Sequence, residues 1–140
     1  MTKEEKLAAR LEYERTRMKL LTVLSSHPGP GRAISMVALY REVFGERPEG
    51  DKINGTRKLR KYLTSLRREG IPICHSTDTD SGGYYLASAA SDVEEQCGRL
   101  RAQALKKLMM EAKLRNVALP ALLGQIGLAL AREEQRSGEL

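Results

Sequence analysis

The spacing of apolar and polar positions predicts a chain made mostly of helices. Thr2 and Glu5 have the form of a capping box, and the pattern predicts a helix over residues 3–26 with a charged first half and an apolar second half. The prolines and glycines of SSHPGPGR end that helix. Ser35 is the expected cap of a second helix, MVALYREVFG, which ends at Gly45. The residues expected to point inward are Met18, Leu20, Leu21, Val23, Leu24, Val37, Tyr40, Val43 and Phe44.

A third helix is predicted from about Gly55 to Glu69, after the polar connection ERPEGDKING, and Gly70 stops it. At about 100° per residue, its apolar residues fall on one stripe, formed by Leu59, Tyr62, Leu63 and Leu66. The opposite side carries Arg57, Lys61, Thr64 and Arg68, spaced i, i+4, i+7 and i+11. A solvated helix face usually mixes charges to gain i,i+4 pairs. This helix instead presents almost one sign of charge.

A β-hairpin follows the third helix. The short strand-like runs IPICHS and GYYLAS flank the turn-rich segment TDTDSG. The residues expected on the inner side or across the strands are Ile71, Ile73, Tyr84 and Leu86.

Two more helices complete the chain. One is predicted from Ser91 or Asp92 to about Asn116, and an apolar one begins near Pro120 and is weakened by Gly124 and Gly127. The expected apolar side of the longer helix is Val93, Cys97, Leu100, Ala104, Leu108 and Ala112. The predicted fold class is therefore mainly α with a small β-hairpin.

The positive charge is concentrated in two segments. Net charge is +6; residues 51–70 carry seven Lys and Arg against two acids, and residues 99–115 carry six against one. Each segment thus holds +5, which leaves −4 for the remainder. Such an arrangement can meet a polyanion on a defined face, although two solvated helix faces would give the same counts.

Composition and termini limit the remaining classes. No window holds the roughly 18 uncharged apolar residues that a membrane span needs, so no membrane partner is expected. The charged start of the chain resembles neither a signal peptide nor a myristoylation site. Cys74 and Cys97 do not make a disulfide framework. We expect a reduced, cytoplasmic protein.

Catalytic and metal-binding motifs find little support. A zinc set of Cys74, His75, Cys97 and His27 is opposed because the first two are neighbours on a strand and point to opposite faces. GPGR lacks the spacing of a P-loop, and no nucleophile–base pair or carboxylate pair stands out. The D-x-D-x-G of the hairpin tip has Ala89 where a calcium loop needs its last acid. The sequence therefore predicts no enzyme and no cofactor.

The order helix, helix, basic helix and hairpin resembles a winged helix-turn-helix domain. The stretch LRKYLTSLRREGIPICHSTDTDSGGYYLAS is similar to the N-terminal domain of biotin operon repressors and phage-encoded relatives, in which a basic recognition helix runs into x-P-I and a wing closed by G-G-Y-x-L. The matching residues are Leu63, Leu66, Arg67, Gly70, Pro72, Ile73, Gly82, Gly83, Tyr84 and Leu86. The connection before the third helix is longer than the family's tight turn. Nothing downstream resembles a biotin-binding or ligase domain, so no effector is carried over.

The resemblance implies binding to double-stranded DNA, with the third helix in the major groove. Arg57 is the first candidate for guanine because its fork fits both acceptors of that base, and Asn54 is a candidate for adenine. Other cations are assigned to phosphates, which position the protein without specifying a sequence. The predicted DNA-binding residues are Asn54, Arg57, Lys58, Arg60, Lys61, Thr64 and Arg68.

Two features point toward protein partners. Asp78 and Asp80 make the hairpin tip acidic, so we expect it to stand off DNA phosphates or to contact something else. The apolar end of the chain predicts either a last helix that folds back on residues 92–116 or on the core, or a homodimer through the C-terminal helices, and the homodimer is favoured.

The predicted organisation is a charged helical extension (1–15), a winged helix-turn-helix domain (16–88) and a helical extension (89–140). The favoured function is a bacterial or phage transcriptional regulator. The alternative is a winged-helix adaptor that binds protein in a phage or replication assembly. Binding to RNA or single strands is disfavoured because no aromatic stacking platform is evident.

Overall fold

The computed structural model describes residues 1–77 and 82–138. The chain divides into two compact units, Met1–Gln96 and Cys97–Leu140, called here the first and the second unit. The predicted fold class, mainly α with a small β-hairpin, is confirmed. Asp78 and Asp80, with the acidic tip and the calcium loop considered for them, lie outside the described residues.

The elements follow one another in nearly the predicted order. A 3₁₀ turn at Pro30–Arg32 separates the first two helices. The named elements are α1 (Lys3–Ser25), α2 (Met36–Phe44), α3 (Lys52–Gly55), α4 (Arg57–Arg68), β1 (Ile73–Ser76), β2 (Gly83–Leu86), α5 (Ala90–Arg115) and α6 (Leu119–Gly138).

Local capping sets the helix ends as predicted. The backbone N–H of Glu5 donates to Thr2 Oγ1, and the Glu5 carboxylate accepts from the Thr2 N–H at 2.9 Å, which closes the capping box of α1. Ser35 Oγ accepts from the Ala38 N–H at 3.2 Å and caps α2. Gly45 ends α2 in the left-handed conformation, with φ of 76°.

The core of the first unit lies between α1, α2, α4 and the hairpin. The apolar stripe predicted for the third helix is confirmed, with Tyr62 partly buried beside three buried leucines. The buried core residues are Leu20, Leu24, Ile34, Leu39, Tyr40, Val43, Leu59, Leu63, Leu66 and Ile73.

Two inward assignments were wrong. Met18 is 56% exposed and Val37 is 36% exposed, whereas Leu20 and Leu39 are fully buried. Each exposed residue precedes a buried one by two positions, which is about 200° around a helix. Since Leu20 and Leu39 face the core, Met18 and Val37 must face away from it.

The connection before the basic helix contains a short helix of its own. In α3, the Asp51 carboxylate accepts from the Asn54 N–H at 2.7 Å and caps the turn. A side chain at Gly55 would collide with the backbone carbonyl of Glu49, so the backbone at Gly55 and at Glu49 must approach each other closely. The basic helix therefore begins at Arg57 rather than near Gly55.

The hairpin has buried residues on both of its faces, which the one-sided prediction did not anticipate. The register pairs Ile73 with Leu86 and Cys74 with Tyr85. Ile73 belongs to the core, while Cys74 and Tyr85, on the other face, are each only 1% exposed. The start of α5 lies beside this second face, because the Cys74 thiol donates to the Asp92 carbonyl at 3.6 Å.

The chain before α2 adds a third piece of backbone to the sheet. Ile34 and Tyr84 exchange two backbone hydrogen bonds of 2.8 Å, so Ile34 pairs with β2 as an isolated bridge. A side chain at Gly83 would fall on the Ile34 carbonyl, and Gly83 has φ of 152°. Gly83 is therefore required by this close approach.

Four of the six aromatic residues form a continuous row across α1, α2 and α4. Tyr13 stacks on Tyr62 with 5.1 Å between ring centroids, Tyr62 lies 6.3 Å from Phe44, and Phe44 lies 4.6 Å from Tyr40. The Tyr13 hydroxyl also bonds to Ser65 Oγ at 2.8 Å. This row connects α1 to α4.

Asp92 organises the start of α5. One oxygen of its carboxylate accepts from the Ser88 N–H at 2.9 Å, and from the Ser88 hydroxyl and the Ala89 N–H at 3.2 Å each. These bonds favour the ionised form, and the pKa of Asp92 is lowered, chiefly by the backbone hydrogen bond from Ser88.

The second unit contains most of α5, from Cys97 onward, and α6. The two helices meet at a bend of 105°. Ala112 and Leu122 are buried, but most of the predicted apolar side of α5 is not: Leu100 is 53% exposed, and Cys97 and Ala104 are also exposed. In the first unit, Val93 is 37% exposed. Within the second unit, α6 leaves α5 at a steep angle rather than returning along it, so the apolar side of α5 from Cys97 onward is not covered by α6.

No single helix in the described part of the chain is long and apolar enough to cross a membrane; α5 and α6 meet those criteria only when joined across their bend.

Gly83→Ala should lower the free energy of unfolding by about 3 kcal/mol, because the new methyl group meets the Ile34 carbonyl in a backbone conformation that favours glycine. Urea denaturation followed by circular dichroism measures this. Gly31→Ala is the matched control, since nothing lies within 4 Å of its Cβ position. Equal stability of both variants would contradict the required close approach.

Asp92→Asn should destabilise the protein near neutral pH and progressively less in acid. The folded-state pKa of Asp92 is lowered, so its stabilising contribution is present above the unfolded pKa of about 3.9 and is lost as pH falls through the folded value. The Tm difference between wild type and variant, measured from pH 7 to pH 2, should shrink below about pH 4. The exposed Glu94→Gln serves as the control, and a difference that persists unchanged in acid would oppose the assignment.

Candidate nucleic-acid interface

The outward face of α4 forms one open groove of about 440 Å³. It runs from the first to the last turn of the helix and carries four cations and two hydroxyls, with no acidic residue in α4. Its lining residues are Arg57, Arg60, Lys61, Thr64, Ser65 and Arg68. Five of the seven predicted DNA-binding residues are therefore brought together on this face.

The acid that follows α4 is neutralised within the fold. Glu69 accepts a two-pronged contact from Arg17 of α1, with N–O distances of 2.9, 3.0 and 3.2 Å. The hydrogen bond to Glu69 is also the main reason that the pKa of Arg17 is raised above its ordinary value. Because Glu69 is paired with Arg17, its carboxylate at the end of α4 repels a bound anion less than an unpaired carboxylate would.

Asn54 and Arg57 are joined to each other at the leading end of α4. The Arg57 guanidinium donates to Asn54 Oδ1 at 3.1 Å, and Asn54 Nδ2 donates to Asp51 Oδ2 at 3.1 Å. Both ends of the Asn54 amide are thus engaged by neighbours. Arg57 has five N–H donors and commits one of them here, so most of its donor capacity remains available.

Lys58 lies apart from the other predicted residues. Its ammonium nitrogen is 4.5 Å from the centroid of the Phe44 ring, a cation–π contact that directs it toward the end of α2. On the helical wheel Lys58 is about 100° from Arg57, which places it at the flank of the groove.

A second groove of about 470 Å³ lies between the start of α2, the start of α4 and the hairpin. Arg60 lines both grooves and is half-buried, so the two recesses adjoin at its side chain. His75 and Tyr84 form part of the wall, with 5.0 Å between their rings. The other lining residues are Ser35, Met36, Thr56, Ser76, Thr77, Gly82 and Gly83.

Arg67 has a structural role that the charge pattern did not reveal. Its Nε donates to the Ile73 carbonyl of β1 at 2.8 Å, and its guanidinium carbon lies 5.7 Å from the centroid of Tyr84 on β2. It therefore connects α4 to both strands and fixes the hairpin beside the basic face. The available sequence signal was the L-R-x-x-G run from Leu66 to Gly70, one of the stretches on which the resemblance to biotin operon repressors rests.

A metal site is not assembled in the part of the chain that the structure describes. Within residues 1–77 and 82–138, no three His, Cys, Asp or Glu side chains lie close enough to hold a metal ion. Cys74 is buried and His75 exposed, on opposite faces of β1, as their adjacency on a strand requires.

Comparisons with known proteins assign no family to the chain. No protein-family model, no curated protein and no solved structure matches the chain. Function must therefore be inferred from the arrangement of the chain's own side chains.

Proposed function

We propose that the first unit is a winged helix-turn-helix domain that binds double-stranded DNA through the basic groove of α4. The observation that carries this proposal is the groove itself: four cations and two hydroxyls line one face of a helix that contains no acidic residue. A major groove about 12 Å wide admits one α-helix, and phosphates on its two sides attract cations.

Roles within the groove follow from position and geometry. Lys61 and Arg68 are exposed at the middle and end of α4, where they contact phosphates and set the register of the protein on the duplex. Arg57 is exposed at the leading turn, the part of a recognition helix that reaches base edges, and pairs with a guanine. Asn54 positions Arg57 through the hydrogen bond between them; adenine pairing by Asn54 would require its amide to leave Asp51 and Arg57.

The hairpin helps to orient the domain on the duplex. Arg67 connects it to α4, and the second groove opens between the two, so a phosphate strand beside the major groove meets Arg60 at the junction. The resemblance to biotin operon repressors supports a role as a bacterial or phage transcriptional regulator in the cytoplasm.

An adaptor that binds another protein is the second candidate. It is favoured by apolar side chains that remain exposed along α1, where Leu7, Leu11 and Met18 are 56–59% exposed and lie on one side of the helix. Salt distinguishes the two functions, because phosphate contacts release counterions and apolar contacts do not.

Binding of a random-sequence duplex should fall steeply with salt. If the four groove cations each neutralise one phosphate, raising salt from about 50 to 200 mM weakens binding roughly 100-fold. Fluorescence anisotropy of a labelled duplex measures this. Lys61→Ala should weaken binding on all sequences and reduce the salt slope by about 1, whereas the exposed Arg10→Ala, which removes the same charge from α1, should not. No binding at low salt, or equal effects of the two variants, would count against the groove.

Arg57→Lys should separate sequence reading from charge. Lysine keeps the charge and loses the planar fork, so binding to random DNA should be nearly retained, while preference for one guanine in a site selected from a randomised pool should fall by about 1–3 kcal/mol. Arg68→Lys is the matched control, since a phosphate contact tolerates the exchange. Unchanged preference in the Arg57 variant would remove that residue from the base-reading role.

A further inference from the structure

The second unit leaves most of its large apolar side chains uncovered. Among its described residues, Ala112 and Leu122 are the hydrophobic ones that reach full burial. Soluble monomers rarely expose apolar patches beyond a few hundred Å². The exposed large apolar residues of this unit are Leu100, Leu105, Met109, Met110, Leu114, Val117, Leu123, Leu128 and Leu130.

One apolar stripe on α6 begins covered and continues uncovered. Its members, at i, i+3, i+4, i+7 and i+11, are Leu119, Leu122, Leu123, Ile126 and Leu130. Leu122 is 2% exposed near the bend, Leu123 is 40% exposed and Leu130 is 59% exposed. Because α6 departs from α5 at 105°, the far end of the stripe has no helix of this unit over it.

The composition of α6 indicates that a partner must pack against its apolar stripe for the helix to be stable. Gly124 and Gly127 lie inside the helix, and each costs about 1 kcal/mol relative to alanine. Helices in proteins are stabilised mainly by packing of an apolar face rather than by propensity. With one hydrophobic residue buried, α6 lacks that stabilisation within its own unit.

The charge pattern indicates that the cover is a second α6. Residues 117–131 contain no ionisable side chain, so the occupant of the stripe must itself be uncharged and apolar, and α6 is such a segment. In an antiparallel pair whose axis passes between Ile126 and Gly127, the charged segment 132–136 of one copy lies opposite residues 117–121 of the other, which are uncharged. No like charges are then brought together.

We propose that two copies of this chain associate through α6 in an antiparallel, two-fold symmetric contact. Leu123 of one copy packs against Leu130 of the second copy, and Gly127 leaves room for Ile126, because nothing lies within 4 Å of its Cβ position. This dimer joins two copies of the basic helix in one particle. It depends on no property of DNA, and it persists even if α4 binds something else.

Sedimentation equilibrium of the full chain without DNA tests the proposal. The wild type should sediment at twice 15.6 kDa. Leu130→Glu, which places a carboxylate on the stripe in each copy, should weaken dimerisation at least about 100-fold. The matched control is Leu128→Glu: Leu128 is 65% exposed but lies on the opposite side of α6, so this variant should remain dimeric.

Other outcomes overturn the proposal. A monomeric wild type would do so, as would a Leu130→Glu variant that dimerises like the wild type. Equal dissociation by Leu128→Glu would show that general apolarity, rather than the stripe, drives association. Dissociation by Leu11→Glu on α1, with Leu130→Glu still dimeric, would move the contact to the first unit. Far-UV circular dichroism confirms that each variant keeps its helices, and the duplex anisotropy assay above reports separately on α4.

Discussion

The burial of three leucines on α4 sets the orientation of the basic side chains on the opposite face of that helix. Leu59, Leu63 and Leu66 are at most 2% exposed, and burying each stabilises the fold by roughly 1.5–3 kcal/mol. Turning the helix by one residue position would expose part of that stripe and bury charged groups. The arginines and lysines of the opposite face are therefore held outward by the core rather than by any interaction of their own.

The six cations of α4 fall into two groups. Arg67 and Lys58 are directed away from the groove, toward the Ile73 carbonyl and the Phe44 ring, whereas Arg57, Arg60, Lys61 and Arg68 line the groove. A count of positive charge treats all six alike. The proposed interface is smaller than the total charge indicates, but it is also better organised, because Arg67 fixes the hairpin beside it.

The two units differ in how much of their apolar surface they bury. The first unit surrounds its core with three helices and a hairpin that has buried residues on both faces. The second unit is a bent pair of helices with two buried hydrophobic residues among those described, and its uncovered stripe leads to the proposed contact between copies. The proposed DNA-binding face and the proposed dimer contact therefore lie on separate units.

The sequence by itself determined what depends on neighbours a few residues away. Thr2, Ser35 and Gly45 fixed helix ends through caps and backbone conformation, and the 3.6-residue period of α4 identified its buried leucines and its polar face. The tertiary structure decided what depends on distant segments. Tyr85 is buried because α5 begins beside the second face of the hairpin, and Gly83 is required because Ile34, far earlier in the chain, approaches its backbone. The exposure of Leu100 and Leu130 follows from the angle between two helices, which no periodicity encodes.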